Sequence, residues 1–482
     1  MSNKNLFKQS AFYGGLSDDP EFYDDTVFAK SANFDIISHP HKLVPTRKWE
    51  VVQEDSPGDN KEITKLLYDG NKVYGLGENS SGDVDIFESS ASSPGFDSIV
   101  TSVTGSHSRP QYNLFLDYRG KIYGWDSREE IWEFDKSTGV LTNEKFSPAS
   151  DDDFSAHQGI ISQGRAYVPY GRYVGTIHNG NWVEDALILE EGYTICARIV
   201  EWNDFIAIPV VDEKRHSRVY LWDGVSVAPK THIDFGYGEI QELHDQLGVL
   251  TAIVHWGRNL TEAEEKTVVK RYLGGSVTIF KDFPTEDGFF CDGSAMGDNK
   301  LYFPTKEGIW VIGRKSERYP LSVSLHKQYP PSADPNDDND FNADDVILVG
   351  SELWVAGDNN GEPTVWKITS QSTDWDDAYI ETQITNSNEM GVKKEIHEVI
   401  VEFEPLSDGA DVSGYYRVNR SEEYTKIFEV SEEGQTIVVK TKEINGLDFK
   451  KYNTAQFKFE SHDGAVITFI QIDGKILYQK RD

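Results

Sequence analysis

One phrase recurs seven times along this chain, never in the same letters: an apolar strand, a polar turn holding Gly, Asn or Asp, then a second strand with an aromatic or β-branched centre. The clearest copies are ITKLLYDGNKVYGLG from Ile63 to Gly77 and YNLFLDYRGKIYGWD from Tyr112 to Asp126. GIISQGRAYVPYG (Gly159 to Gly171) and ARIVEWNDFIAIPV (Ala197 to Val210) follow, with looser copies beginning at Glu242, Gly293 and Asp345. Each reads as a β-hairpin, because two runs of period 2 flank turn residues that tolerate positive φ. Taking Tyr68, Tyr118, Gln163, Trp202, Gln246, Gly297 and Gly350 as markers, successive copies stand 39 to 53 residues apart. That interval is the length of a four-stranded propeller blade, ~40–50 residues in known families. A long sandwich or solenoid with coincidental hairpins is the competing architecture.

A second pair of strands follows most copies: EEIWEFDKSTGVL from Glu129, RVYLWDGVSVAP from Arg218, GIWVIG from Gly308 and PTVWKIT from Pro363. Their aromatics, Trp132, Trp222, Trp310 and Trp366, stand where neighbouring blades pack face to face. The sequence therefore predicts an all-β chain, a seven-bladed β-propeller over residues 56–385. Residues 1–55 form an N-terminal docking arm, rich in turns, and its segment Lys42 to Gln53 reads as a strand that completes the last blade and closes the ring. Near residue 385 the pattern changes, and strong alternation in EVIVEFEPL, VSGYYRV, TIVVKTKEI, TAQFKFES and AVITFIQIDGKILYQK predicts a small antiparallel β-sandwich over 386–482.

Charge narrows the function. Asp and Glu number 81 against 47 Lys and Arg, a formal net charge of −34 in 482 residues, and no long basic stretch interrupts the excess. Nucleic acid is not an expected partner, since binding it requires cations that displace phosphate counterions. No apolar run approaches the ~20 residues of a membrane-crossing helix, and the opening MSNKNLFKQSAFYGG lacks the charged and apolar regions of a signal peptide. Cys196 and Cys291 are the two cysteines, both in apolar or aromatic settings that suit buried thiols.

Candidate sites are few. DPNDDNDFNADD, Asp334 to Asp345, places oxygen side chains at Asp334, Asn336, Asp338, Asp340, Asn342 and Asp345, the ligand rhythm of an EF-hand loop. Asn339 occupies the position where that loop needs Gly, and Asp345 stands where it has Glu. The alternative is a solvated acidic loop; calcium aside, no cofactor is expected. Tyr173, Trp182 and Trp256 lie beside polar and basic residues and are candidates for contact with a glycan or a partner, although blade packing uses the same residue types. His157, His178, His216, His244 and His255 fall on different blades and read as ordinary strand or loop residues. No phosphate-binding loop, dinucleotide fingerprint, HExxH or GxSxG is present, no sialidase-type Ser-x-Asp-x-Gly-x-x-Trp repeat occurs, and no spacing among the acids selects a glycosidase pair.

The stretch AFYGGLSDDPEFYDDTVFAKSANFDIISHPHKLVPTRK, Ala11 to Lys48, resembles the opening of a family of tailed-bacteriophage virion proteins in which a Tyr-Gly-Gly element leads to a Ser/Asn-Phe/Leu-Asp-Ile phrase and a Pro-containing strand. The matching residues are Tyr13, Gly14, Gly15, Asn33, Phe34, Asp35, Ile36 and Pro40. EIHEVIVEFEPLSDGADVSGYYRV also resembles the small sandwich that often ends such proteins. The resemblance implies a non-enzymatic structural component of a virion tail, neck or fibre base, assembled in the host cytoplasm in several copies around a symmetry axis and contacting other virion proteins and the host surface. It transfers no catalytic residue. The rival expectation is a carbohydrate-binding or glycan-cleaving propeller.

Overall fold

In the computed structural model, the residues described are 4–9, 11–12, 15–16, 27–54, 62–78, 84–90, 93–103, 114–125, 130–148, 156–256, 266–284, 293–305, 307–329, 341–359, 362–369, 372–383, 393–419, 421–441 and 453–477. Among them every regular element is a strand. The protein is an all-β propeller of seven blades joined to a β-sandwich.

Six blades are consecutive antiparallel sheets, over 62–103, 115–146, 160–188, 193–237, 239–284 and 295–328. Their first hairpins turn where the sequence placed them, at residues held in the left-handed region: Gly70, Arg119–Gly120, Gln163–Gly164, Asn203–Asp204, Leu247–Gly248 and Asp298–Asn299. Between blades, aromatics pack edge to face. Trp222 of blade 4 meets Tyr167 of blade 3 at 5.7 Å, and Trp310 of blade 6 meets Phe283 of blade 5 at 5.0 Å. Within blade 2, Gly124 pairs across the ladder with Trp132, and a β-carbon there would lie 2.0 Å from the indole. Glycine is what lets that ring lie flat on the sheet.

Blade 7 is built from both ends of the propeller. Its strands Phe341–Val349, Glu352–Asn359 and Glu362–Ile368 come late in the chain, and its outer strand is Glu50–Glu54, with Val51 opposite Trp366 and Gln53 opposite Val365. The closing strand was expected within Lys42 to Gln53; the strand itself is Glu50–Glu54. It removes the open edge that an unclosed ring would present.

The sandwich takes strands from the N-terminus too. One sheet orders Lys4–Gln9, Ile467–Leu477, Lys393–Phe403 and Ile437–Thr441. The other runs Val27–Ala32, Ala378–Thr382, Ala455–His462, Asp411–Val418 and Thr425–Val430. The described strands within residues 1–55, read from sequence as a docking arm, thus pair with their own chain. Strand Ala378–Thr382, assigned from sequence to the propeller, lies in the sandwich sheet. The strand Val27–Ala32 is a bridge: it pairs antiparallel with Ala378–Thr382 on one side and, at Ala32 opposite Leu325, parallel with the outer strand of blade 6 on the other. One sheet therefore runs from blade 6 into the sandwich. One hydrophobic core does the same, with Ile309 and Val355 of the blades continuous with Phe28, Phe34, Val401, Phe459 and Ile472.

The corner after the bridge is the Asn-Phe-Asp-Ile phrase. Asn33 has φ 62°, a conformation Asn tolerates better than most residues. Its amide donates to the Asp377 carbonyl at 2.8 Å and its side-chain oxygen accepts the Gln328 N–H at 2.7 Å, tying linker, sandwich and blade 6 together. Phe34 and Ile36 are fully buried, and Asp35 accepts the Ser38 N–H, shaping the turn.

Candidate functional site

The first strands of the seven blades surround a central channel with a cavity of about 440 Å³. Every blade contributes to its wall, among others through Lys65, Phe115, His157, Arg198, Glu242, Ser294 and Asp345. In blade 4 the first strand is broken into Tyr193–Ile195 and Val200–Trp202, and the segment between them brings Cys196 and Arg198 to the channel.

These groups bond chiefly to adjacent blades. Gln158 of blade 3 spans to blade 2, accepting the Phe115 N–H and donating to its carbonyl, both at 3.0 Å. His157 Nε2 lies 3.0 Å from the Ile195 carbonyl of blade 4. Arg198 Nε stands 3.1 Å from Glu242 of blade 5, and His244 Nε2 lies 2.6 Å from the Ser294 hydroxyl of blade 6. Asp345 of blade 7 accepts the Leu66 N–H of blade 1 at 2.8 Å and its neighbour Val346's at 2.9 Å. The result is a polar belt stitching successive blades together around the channel.

Burial sets the protonation states. Burial raises the pKa of Glu242, but the Arg198 cation and the bond from His244 outweigh it and hold the carboxyl below its usual range. Burial raises that of Asp345 despite Lys65 and the bonds from Leu66 and Val346, and pushes the Cys196 thiol well up. The same burial pulls His157 down to about 4. A histidine depressed from 6.5 costs nothing above pH 6.5, where both folded and unfolded forms are neutral. As pH falls from 6.5 towards 4 the unfolded chain alone takes up the proton, and stability is lost. Urea melts at pH 7.5 and 4.5 are expected to show that His157→Gln, which keeps a donor for the Ile195 carbonyl, recovers roughly 2 kcal/mol of the acid loss. An unchanged acid slope would contradict this.

Ser294, His244 and Glu242 raise the question of a nucleophilic relay. In such a relay the acid holds the imidazole nitrogen opposite the one facing the nucleophile. Here Glu242 lies 3.5 Å from Nε2, the same nitrogen that meets Ser294, and Ser294 is 3% exposed. The arrangement is that of an inter-blade bond.

The sites anticipated from sequence fall in three places. Asp334, Asn336, Asp338 and Asp340 lie outside the described residues, and Asp345 is in the channel belt with both oxygens engaged by main-chain N–H groups. Among the described residues no group of three or more His, Cys, Asp or Glu is placed to hold a metal ion. Tyr173 and Trp182 sit together in an aromatic stack between blades 2 and 3, with Tyr170 5.5 Å from Tyr173 and Phe146 5.7 Å from Trp182. Trp256 is apart from them on blade 5, with Lys266 and Lys270 5.1 and 5.2 Å from its ring centre. Cys291 lies outside the described residues. His157 and His244, read as unremarkable, belong to the belt. The missed signal was a spacing: the seven channel residues stand 41 to 52 positions apart, three to six residues before each turn marker.

No family model matches the chain, and no curated protein shows significant similarity to it. Among solved structures, the WD40 repeats of RRP9 align over 67% of this chain and 99% of theirs, at 10% identity and a TM-score of 0.45. A puromycin-hydrolysing peptidase of Mycobacterium tuberculosis aligns over 67% of this chain and 54% of its own, at 12% identity and a TM-score of 0.46.

Proposed function

We propose that this chain is a non-enzymatic assembly component of a tailed-phage virion, a rigid platform in the tail, neck or fibre region that binds neighbouring virion proteins. The observation that carries the reading is the path of residues 27–54: one segment bridges the sandwich to blade 6 and then closes the ring through blade 7. A load applied to the sandwich passes into the propeller through a continuous sheet and core rather than a flexible linker, which suits a part that must hold its geometry. The channel charges support the same reading, because they are engaged in holding blades together. The Ala11 to Lys48 resemblance supplies the virion context, and its Asn33 to Ile36 phrase is the corner on which the junction turns.

Several copies around an axis are expected, as closed symmetric arrangements dominate assemblies. The test is co-purification with particles: the protein is expected to stay with sedimenting virions at high salt and to be released only by dissociation of the tail. Release of oligosaccharide from host-surface glycan by the purified protein would instead favour a glycan-cleaving propeller.

A further inference from the structure

A second cavity, also about 440 Å³, lies between blades 6 and 7 beneath the linker that joins bridge to closing strand. Blade 6 contributes Lys300, Tyr302 and His326, and the linker contributes Asp35, Thr46 and Arg47. Its volume is that of a small-molecule site and far exceeds the needs of one or two waters.

Two buried polar groups in its wall have no partner. The Thr46 hydroxyl belongs to a residue 6% exposed, and Nδ1 of His326 to one 8% exposed; neither atom makes a hydrogen bond. Two such atoms facing one cavity of this size are open to a bound partner. The electrostatics say which sort. Two cations, Lys300 and Arg47, line the cavity, and Lys315 and Lys42, the latter paired with Glu404, lie close enough to act on His39 at its rim. Lys300 donates to the Ser38 hydroxyl and lies 3.6 Å from Asp35. The Arg47 guanidinium carbon lies 3.2 Å from the Trp375 ring centre and its Nη1 donates to the Thr373 carbonyl at 3.5 Å, which positions its other N–H groups as donors. Two carboxylates, Asp35 and Asp298, supply acceptors on the same wall.

We propose that this cavity binds a sugar-sized anion, a polyol bearing one carboxylate or phosphate. Its acid group is held by Lys300 and Arg47, and its hydroxyls by Thr46, His326 and Asp35. The Lys300 and Arg47 donors match an acid group, the Asp35 and Asp298 carboxylates match hydroxyl hydrogens, and the volume is larger than a bare oxyanion fills. The site stands or falls independently of the assembly role.

The experiment is calorimetric titration of the full chain with D-glucuronate, glucose 6-phosphate, inorganic phosphate and glucose. One-to-one binding of glucuronate or glucose 6-phosphate is expected, with glucose and inorganic phosphate each at least about tenfold weaker. Whichever of the two acids binds more tightly identifies the acid group as carboxylate or phosphate. Thr46→Val, nearly the same shape, and Lys300→Met are each expected to weaken binding about tenfold or more while the far-ultraviolet spectrum stays unchanged. Failure of both acids to bind at millimolar concentration would overturn the proposal, as would equal affinity for inorganic phosphate or undiminished binding to Thr46→Val and Lys300→Met.

Discussion

A chain lacking residues 1–55 is expected not to fold to a cooperative native state. The deletion removes the outer strand of blade 7, the bridge between blade 6 and the sandwich, and six large apolar side chains, Phe12, Phe28, Phe34, Ile36, Ile37 and Leu43, each at most 2% exposed. At ~2 kcal/mol for each buried apolar side chain, that burial alone is worth roughly 12 kcal/mol, comparable to the whole net stability of a typical domain. Aggregation on expression, or a broad melt without a single midpoint, is the expected result. A milder variant reports on the same junction in a chain that still folds: Phe34→Ala is expected to cost about 3–5 kcal/mol in urea denaturation. Melting of the truncated chain at the midpoint of the intact protein would mean that the ring and sandwich do not depend on this segment.

The second large effect is expected at Lys327. Its side chain is fully buried in the outer strand of blade 6, where Nζ donates to the Arg47 carbonyl at 2.6 Å, meets the Asp376 carboxylate and lies 5.5 Å from the centre of the Trp49 ring; burial and then Lys48 pull its pKa down to about 6, which the contact with Asp376 opposes. Lys327 thus holds blade 6, the linker and the approach to the sandwich at a single point. Lys327→Ala leaves the Asp376 carboxylate and the Arg47 carbonyl without their donor and opens a cavity against Trp49. Removing one member of a buried pair costs about 3–5 kcal/mol, and because Asp376 keeps some solvent contact the lower figure, about 3 kcal/mol, is expected from urea denaturation. Lys327→Ala with Asp376→Ala is expected to be less damaging than the sum of the single changes, since the stranded charge is gone. A single variant within about 0.5 kcal/mol of the parent would contradict the assignment.

What could be read from sequence follows from how local each signal is. The hairpins were legible because turn and flanking strands lie within fifteen residues, as in Ile63 to Gly77. The closing strand was legible in outline, because Lys42 to Gln53 reads as a spare strand beside a propeller that needs one, although the strand itself is Glu50–Glu54. The bridge was not: VFAKSA from Val27 is short and mixed, and its partners at Leu325 and Ile380 are 293 and 349 positions away, where no periodicity reaches. The Asn-Phe-Asp-Ile phrase was noticed as a resemblance, yet its physical purpose, a left-handed corner bonded to Gln328 and Asp377, needed the fold. The channel belt was hidden for another reason. Lys65, His157, Arg198, Glu242 and Asp345 are chemically unlike one another, so a search for like residues passes over them, whereas their common place in the repeat would have gathered them. The cavity beneath the linker joins segments from both ends of the propeller and left no trace in any one stretch.

Cryo-electron microscopy of particles purified from cells producing this chain tests the central claim most directly. The account predicts density for seven-bladed propellers in several symmetry-related copies on a tail, neck or fibre base, each sandwich held rigidly to blades 6 and 7. A free monomer absent from every particle, with its sandwich averaged out relative to the propeller, would contradict both the assembly role and the rigid junction on which it rests.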